Sequence, residues 1–71
     1  RESEFDQVDR QLMQHIDVSA WAGLPSLEAW QWHAARELFL TPQELEHRLE
    51  RVRALRGLRW DARQGTLVFT S

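Results

Sequence analysis

The chain has 71 residues, no cysteine and a formal net charge of −2. A chain of this length forms one domain at most, and its core is marginal without large apolar side chains, which four Trp and three Phe supply. The absence of cysteine excludes disulfides, thiolate metal sites and cysteine nucleophiles. It favours a cytoplasmic location, because a secreted domain this small usually needs disulfides. No signal peptide and no run of about 18 apolar residues is present, which predicts no membrane segment.

The charge is unevenly distributed along the chain. Residues 1–22 carry −3, residues 23–40 carry −1 and residues 41–71 carry +2. All nine basic residues are arginine, which makes bidentate contacts with guanine and with phosphate, although a GC-rich genome would produce the same bias. A small independently folded unit is compatible with this composition, and a module of a longer protein is equally compatible, since the chain begins with Arg1 and not Met.

A first helix is predicted over about residues 4–16, with Ser3 and Asp6 as its capping box. Its apolar residues recur at helical spacing: Phe5, Val8, Leu12, Met13 and Ile16. The following segment, residues 17–26, is equally compatible with a small strand and with a single helical turn.

A second helix is predicted over about residues 27–39, with Ser26 as its N-cap. Leu27, Trp30, Ala34 and Leu38 form one apolar face, and Trp32, Ala35 and Phe39 form an adjacent one. So wide an apolar arc predicts a helix that is covered on two sides. The alternative is that Trp32 is exposed and marks a surface for a partner.

A third helix is predicted over about residues 42–56. Thr41 is its N-cap, Pro42 occupies the first helical position and Glu44 completes a capping box. The residues expected to face the core are Leu45, Leu49, Val52 and Leu55. Gly57 then ends the helix.

The C-terminal residues are predicted to form a β-hairpin over about residues 58–70. Two strand-like runs, residues 58–60 and residues 66–70, flank a polar connection over residues 61–65. The last residue of that connection, Gly65, suits a left-handed turn position.

The order of these elements resembles a winged helix-turn-helix domain. The specific part of the resemblance is residues 34–57, which read AARELFLTPQELEHRLERVRALRG. The resemblance implies an α+β, mainly α fold, with a three-helix helix-turn-helix core and a C-terminal β-hairpin wing, in one domain over residues 1–71. Domains of this kind occur in transcriptional regulators, where they bind double-stranded DNA, and in multi-subunit assemblies, where they bind other proteins.

On the DNA-binding interpretation, the third helix enters the major groove and the hairpin contacts the backbone. Seven residues are the candidates for base or phosphate contact: Gln43, His47, Arg48, Arg51, Arg56, Arg59 and Arg63. The alternative is a solvated helix face, because Glu44, Glu46 and Glu50 lie on the same helix and ion pairs such as Glu50–Arg53 consume positive charge.

On the protein-interaction interpretation, the domain is a subunit or tethering module that does not bind DNA. The acidic net charge and the surplus of Trp favour it, and Trp21 or Trp32 is expected in an exposed aromatic patch. Three of the four Trp are expected to build the core, with Trp32 as the exposed exception. Homodimerisation through the first helix is compatible with either interpretation.

The remaining polar residues do not suggest catalysis. His15, His33 and His47 are spread over three predicted helices and do not form a metal-ligand spacing. We find neither a phosphate-binding loop nor a Ser-His-Asp pattern. We therefore expect a protein that is not an enzyme and that uses no cofactor and no metal.

Overall fold

The computed structural model describes residues 4–71, over which the chain forms three helices followed by an antiparallel hairpin. The helices are α1 (Gln7–Asp17), α2 (Leu27–Leu38) and α3 (Pro42–Arg56). The strands are β1 (Leu58–Asp61) and β2 (Thr66–Phe69). This is the predicted mainly α fold with its C-terminal hairpin. None of the described helices has the length and apolar character needed to cross a membrane.

The start of α1 differs from the prediction. The helix begins at Gln7, and its capping box joins Asp6 with Asp9. The Asp6 carboxylate accepts a hydrogen bond from the Asp9 N–H at 2.9 Å, and the Asp6 N–H donates to the Asp9 carboxylate at 3.4 Å. The predicted cap at Ser3 lies outside the described residues. Because Asp is as good an N-cap as Ser, the sequence offered two caps within one turn.

Residues 18–26 form neither the small strand nor the helical turn considered above, but a series of turns and bends. The segment is tied to the hairpin turn by two backbone hydrogen bonds, from Gly23 N–H to the Gln64 oxygen at 2.8 Å and from Leu24 N–H to the Gly65 oxygen at 3.0 Å. Gly65 has a φ of +68°, and a Cβ there would come within 2.6 Å of the Leu24 nitrogen. Only glycine allows this approach.

The predicted ends of α2 and α3 are nearly correct. Ser26 and Thr41 are the N-caps, accepting from Ala29 N–H and Glu44 N–H at 3.1 Å each. The expected capping box at α3 is not completed, because the Glu44 carboxylate pairs with Arg48 at 3.2 Å. Either a capping box or this ion pair would give the Glu44 carboxylate a partner, and the ion pair has the favourable i, i+4 spacing.

The C-terminus of α2 contradicts the prediction for Phe39. This residue was expected to pack as part of a covered helical face, but it caps the helix in the left-handed conformation (φ 58°, ψ 45°) and is 95% exposed. The Leu40 N–H donates to the Ala35 oxygen at 2.8 Å, which closes the turn. Such a turn usually carries glycine at the left-handed position. A bulky aromatic there is unusual.

The core lies between the three helices and β2. Its largest member, Trp30, is completely buried, and its indole N–H donates to the Oγ1 of the equally buried Thr66 at 3.1 Å. This bond satisfies the one polar group that Trp30 brings into the interior. The other buried apolar residues are Phe5, Leu12, Met13, Ile16, Trp21, Ala34, Ala35, Leu45, Leu49, Val52 and Leu67. The expected role of Leu45, Leu49 and Val52 as the core face of α3 is confirmed.

Candidate functional site

The first candidate surface is the face of α3 that was predicted to contact DNA, and Arg48 does not belong to it. Its guanidinium pairs with Asp6 at 2.8 Å, with Asp9 at 2.9 Å and with Glu44 at 3.2 Å. The side chain is only 13% exposed, and Asp9 is completely buried. Arg48 therefore holds the start of α1 against α3 and is not available to a phosphate.

The pKa values agree with this assignment. Burial acts to lower the pKa of the Arg48 guanidinium, but the hydrogen bonds to Asp9 and Asp6 outweigh it and raise the pKa above its ordinary value. The pKa of Asp6 is lowered, first by the hydrogen bond from the Asp9 N–H and then by Arg48. Both shifts favour the charged forms, so the cluster is a set of mutually neutralised ions.

Arg51 and Arg56 are likewise engaged within the chain. The Arg51 guanidinium pairs with Asp9 at 3.2 Å, donates to the Glu4 carbonyl oxygen at 3.1 Å and lies over the Phe5 ring. Arg56 stacks on the Phe69 ring at 3.7 Å from its centroid, and its Nε donates to the Ser71 carbonyl oxygen. To contact DNA, Arg51 and Arg56 would first have to break these interactions.

Four predicted contact residues remain exposed: Gln43, His47, Arg59 and Arg63. Neither Arg59 on β1 nor Arg63 in the hairpin turn forms an ion pair within the described part of the chain. On α3 itself, Glu44, Glu46 and Glu50 are exposed beside Gln43 and His47. The predicted pairing of Glu50 with Arg53 is present at 3.0 Å.

The second candidate surface centres on Trp32. Trp21 and Trp30 are buried, and Trp60 packs partly buried against the core, whereas Trp32 is 57% exposed. The prediction that three of the four Trp build the core is confirmed. The alternative placement of Trp21 in an exposed patch is wrong, because the rings of His15 and Trp30 pack against it at 4.3 and 5.4 Å between ring centroids.

Trp32 borders an open cleft of about 260 Å³ between α2 and α3. The cleft is lined by Glu28, Gln31 and Trp32 of α2 and by Pro42 and Glu46 of α3. No described residue forms an ion pair with Glu28 or Glu46. The cleft is thus lined by an exposed indole and by two carboxylates that form no ion pair with a described residue. We call these five residues the Trp32 cleft.

Phe39 is a second exposed aromatic residue. It follows Trp32 by seven residues, at the C-cap of α2, and is not among the residues that line the cleft. It is the most exposed of the large apolar residues, and Val18, also exposed at 64%, lies at the end of α1. We call Trp32 and Phe39 the aromatic pair.

The histidines do not form a site with other potential ligands. His15 stacks on Trp21 and His33 meets its edge, so both are packing residues, while His47 is exposed. Over residues 4–71, no group of three His, Asp or Glu side chains is arranged to hold a metal ion.

Two features of the site were not found in the sequence. The sequence interpretation missed Asp6 and Asp9 as the partners of Arg48 and Arg51. The two Asp residues are three positions apart and so are the two Arg residues, so the acidic and basic side chains could meet across two helices. Pro42 was assigned only to the start of α3 and Glu28 was given no role, since a cleft between helices depends on how the helices cross. No protein-family model, curated protein or solved structure matches the chain.

Proposed function

We propose that the domain is a protein-interaction module that binds its partner through the aromatic pair. The observation that carries the proposal is the state of Phe39, which combines 95% exposure with a left-handed backbone conformation. Both are unfavourable for a phenylalanine in an isolated domain, since the conformation costs about 1–2 kcal/mol and exposure leaves its apolar surface in water. A partner that covers the ring would offset both costs.

Trp32 strengthens the proposal because Trp is among the residues that contribute most to binding at protein interfaces. The indole is 57% exposed beside a cleft and is carried by the already folded helix α2. A partner would therefore lose less conformational entropy in fixing it. We propose a non-enzymatic role in the cytoplasm, as a subunit or tethering module, in keeping with the small cysteine-free chain.

The test is an affinity capture with the immobilised domain from a cell extract, quantified by mass spectrometry. Trp32→Ala and Phe39→Ser are compared with Val18→Ser, which removes a similarly exposed apolar residue elsewhere. We expect at least one protein whose capture falls more than about tenfold with either aromatic variant, as for interface hot spots, and is unchanged in Val18→Ser. Direct titration of that protein in purified form follows. If no captured protein distinguishes the aromatic variants from the control, the proposal is wrong.

DNA binding by a winged helix-turn-helix domain is a second candidate. The observation in its favour is that Arg59 and Arg63 are exposed and unpaired on the hairpin, while Gln43 and His47 are exposed near the start of α3. The order of helices and hairpin is compatible with helix insertion and backbone contact. Against it count the three engaged arginines and the exposed carboxylates of α3.

The two candidates are separated by fluorescence anisotropy with a labelled random duplex at two salt concentrations. DNA binding predicts association at low salt that weakens as salt rises. It also predicts a weaker response in the double variant Arg59→Ala/Arg63→Ala. The absence of association even at low salt would exclude it. Homodimerisation through α1 stays a prediction, which sedimentation of the purified domain would test.

A further inference from the structure

We infer that the Trp32 cleft binds a basic side chain of the partner, arginine before lysine. The inference rests on the proposed function and specifies the chemistry of the partner. It requires a cleft of the right size, an uncompensated negative charge and a surface on which a guanidinium can stack.

The dimensions of the Trp32 cleft favour one side chain over a cofactor. Its volume of about 260 Å³ lies below the range of about 300–1,000 Å³ typical of sites for drug-sized ligands. It is open to solvent along its length between α2 and α3, so a partner segment can lie across it and insert one residue. The larger hydrophobic contact would be made by Phe39, outside the cleft.

The charge in the cleft is uncompensated. Glu28 and Trp32 are four residues apart on α2, and Pro42 and Glu46 are four apart on α3, so each carboxylate lies one helical turn from the apolar wall. The chain places its own cations elsewhere: Arg48 is held by Asp6 and Asp9, and Arg36, one turn beyond Trp32, does not line the cleft.

The indole supplies the third element. A cation over the face of Trp is attracted by the ring quadrupole, and Trp is the best of the aromatic residues for this purpose. Arginine is favoured over lysine because its planar guanidinium stacks on an aromatic ring while its N–H groups still reach carboxylates. Arginine is already used in this way within the chain, since Arg56 stacks on Phe69 and Arg51 lies over Phe5.

The test uses the 71-residue domain labelled with ¹⁵N and an acetylated, amidated pentapeptide with arginine between two leucines. The readout is the indole N–H resonance of Trp32, and that of Trp30 is an internal control because it is hydrogen-bonded to Thr66 in the core. We expect a saturable shift of the Trp32 resonance in the millimolar range, typical of a small contact. The same peptide with citrulline in place of arginine, which keeps the shape and removes the charge, is expected to bind at least threefold more weakly, by about the contribution of an exposed charge pair.

Charge variants locate the site. Glu28→Gln and Glu46→Gln are each expected to lower the affinity for the arginine peptide about two- to fivefold, and the loss should shrink as salt is added. The matched control is Glu37→Gln, which removes an exposed carboxylate from α2 outside the cleft and should change nothing. No shift with the arginine peptide, equal shifts with citrulline, or full affinity in the double variant Glu28→Gln/Glu46→Gln would each overturn the inference.

The same variants separate this inference from the proposed function. If Glu28→Gln/Glu46→Gln leaves partner capture intact while Trp32→Ala and Phe39→Ser abolish it, the interaction module stands and the basic side chain is wrong. If the aromatic variants have no effect on capture, both fall. If the wild-type domain self-associates and the double variant does not, the cleft receives an arginine of a second copy, which overturns the assignment to a different protein.

Discussion

Within the described part of the chain, the charged side chains on one side of α3 are ion-paired, and those on the other side are not. Toward α1, the cations Arg48 and Arg51 are matched by Asp6 and Asp9 at 2.8–3.2 Å. Toward α2, Glu46 and its neighbour across the cleft, Glu28, have no cation among the described residues. The side whose sequence looked basic is internally neutral, and the other side presents free charge. Whether a charged side chain is available to bind another molecule therefore depends on whether it is already ion-paired within the chain.

Because of this difference, the two sides of α3 are expected to contribute differently to stability and to binding. A buried ion pair that loses one member leaves the other without compensation in a region of low dielectric. Solvated carboxylates around an exposed indole cost the fold little and are free to select a ligand. We therefore expect substitutions on the α1 side to act on the free energy of unfolding, and those on the α2 side to act mainly on binding.

The largest expected effect comes from Asp9→Asn, which removes the buried charge and keeps the shape. The free energy of unfolding should fall by about 2–3 kcal/mol, somewhat below the usual cost of breaking a buried pair, because Asp6 and Glu44 still compensate Arg48. Urea unfolding followed by Trp fluorescence measures it. Glu50→Gln, which breaks an exposed pair with Arg53, is the control and should cost no more than about 0.5 kcal/mol. Equal losses in the two variants would remove the distinction between the sides.

The next effect concerns the two non-glycine residues in the left-handed region, Ser19 (φ 52°) and Phe39 (φ 58°). Phe39→Gly and Ser19→Gly should each raise the free energy of unfolding by about 0.5–1 kcal/mol, the relief of left-handed strain less the entropy of glycine in the unfolded chain. Thermal unfolding measures the gain. Only Phe39→Gly should weaken partner binding. A stabilised variant that keeps full affinity would show that Phe39 is not part of the interface.

The sequence predicted the fold well because its signals are local. Thr41, Pro42 and Gly57 mark the ends of α3 through their own backbone preferences, and Gly65 marks the hairpin turn. These preferences act within a few residues and need no knowledge of the rest of the chain. The start of α1 was misplaced for the same reason, since Ser3 and Asp6 are both acceptable caps. Asp6 is favoured by its capping box with Asp9 and by an ion pair with Arg48 on another helix.

The site was predicted less well because it depends on contacts between helices. The helical spacing of Arg48 and Arg51 made them equally suitable for DNA and for a neighbouring helix, and the choice depends on where Asp9 lies, 39 residues from Arg48. Phe39 was assigned to a buried face because periodicity does not reveal that α2 ends one residue earlier. Trp32 was correctly expected to be exposed because three Trp already fill a core of this size.

A smaller effect is expected on the free energy of unfolding at low pH. The hydrogen bond from the Asp9 N–H and then the Arg48 guanidinium lower the pKa of Asp6 below its ordinary value of 3.8. A carboxyl whose pKa is lower in the folded state stabilises fully above the unfolded pKa, and this contribution is lost as the pH falls through the folded pKa. The stability difference between the wild type and Asp6→Asn should therefore be constant above about pH 5 and shrink below pH 3.8. Urea midpoints of both proteins across this range measure it, and a difference that does not change with pH would refute the assignment.

The smallest expected effect is a gain in stability on removal of a carboxylate. Glu46 lies four residues before Glu50 on α3 and across the Trp32 cleft from Glu28. Because like charges at this spacing repel, Glu46→Gln should raise the free energy of unfolding by about 0.2–0.5 kcal/mol, and high salt should abolish the gain. Glu37→Gln is again the control. Removal of a carboxylate would thus destabilise the domain on the α1 side of α3 and stabilise it on the α2 side. If Glu46→Gln instead destabilised the domain, Glu46 would have an internal role, and its charge would not be free for a partner.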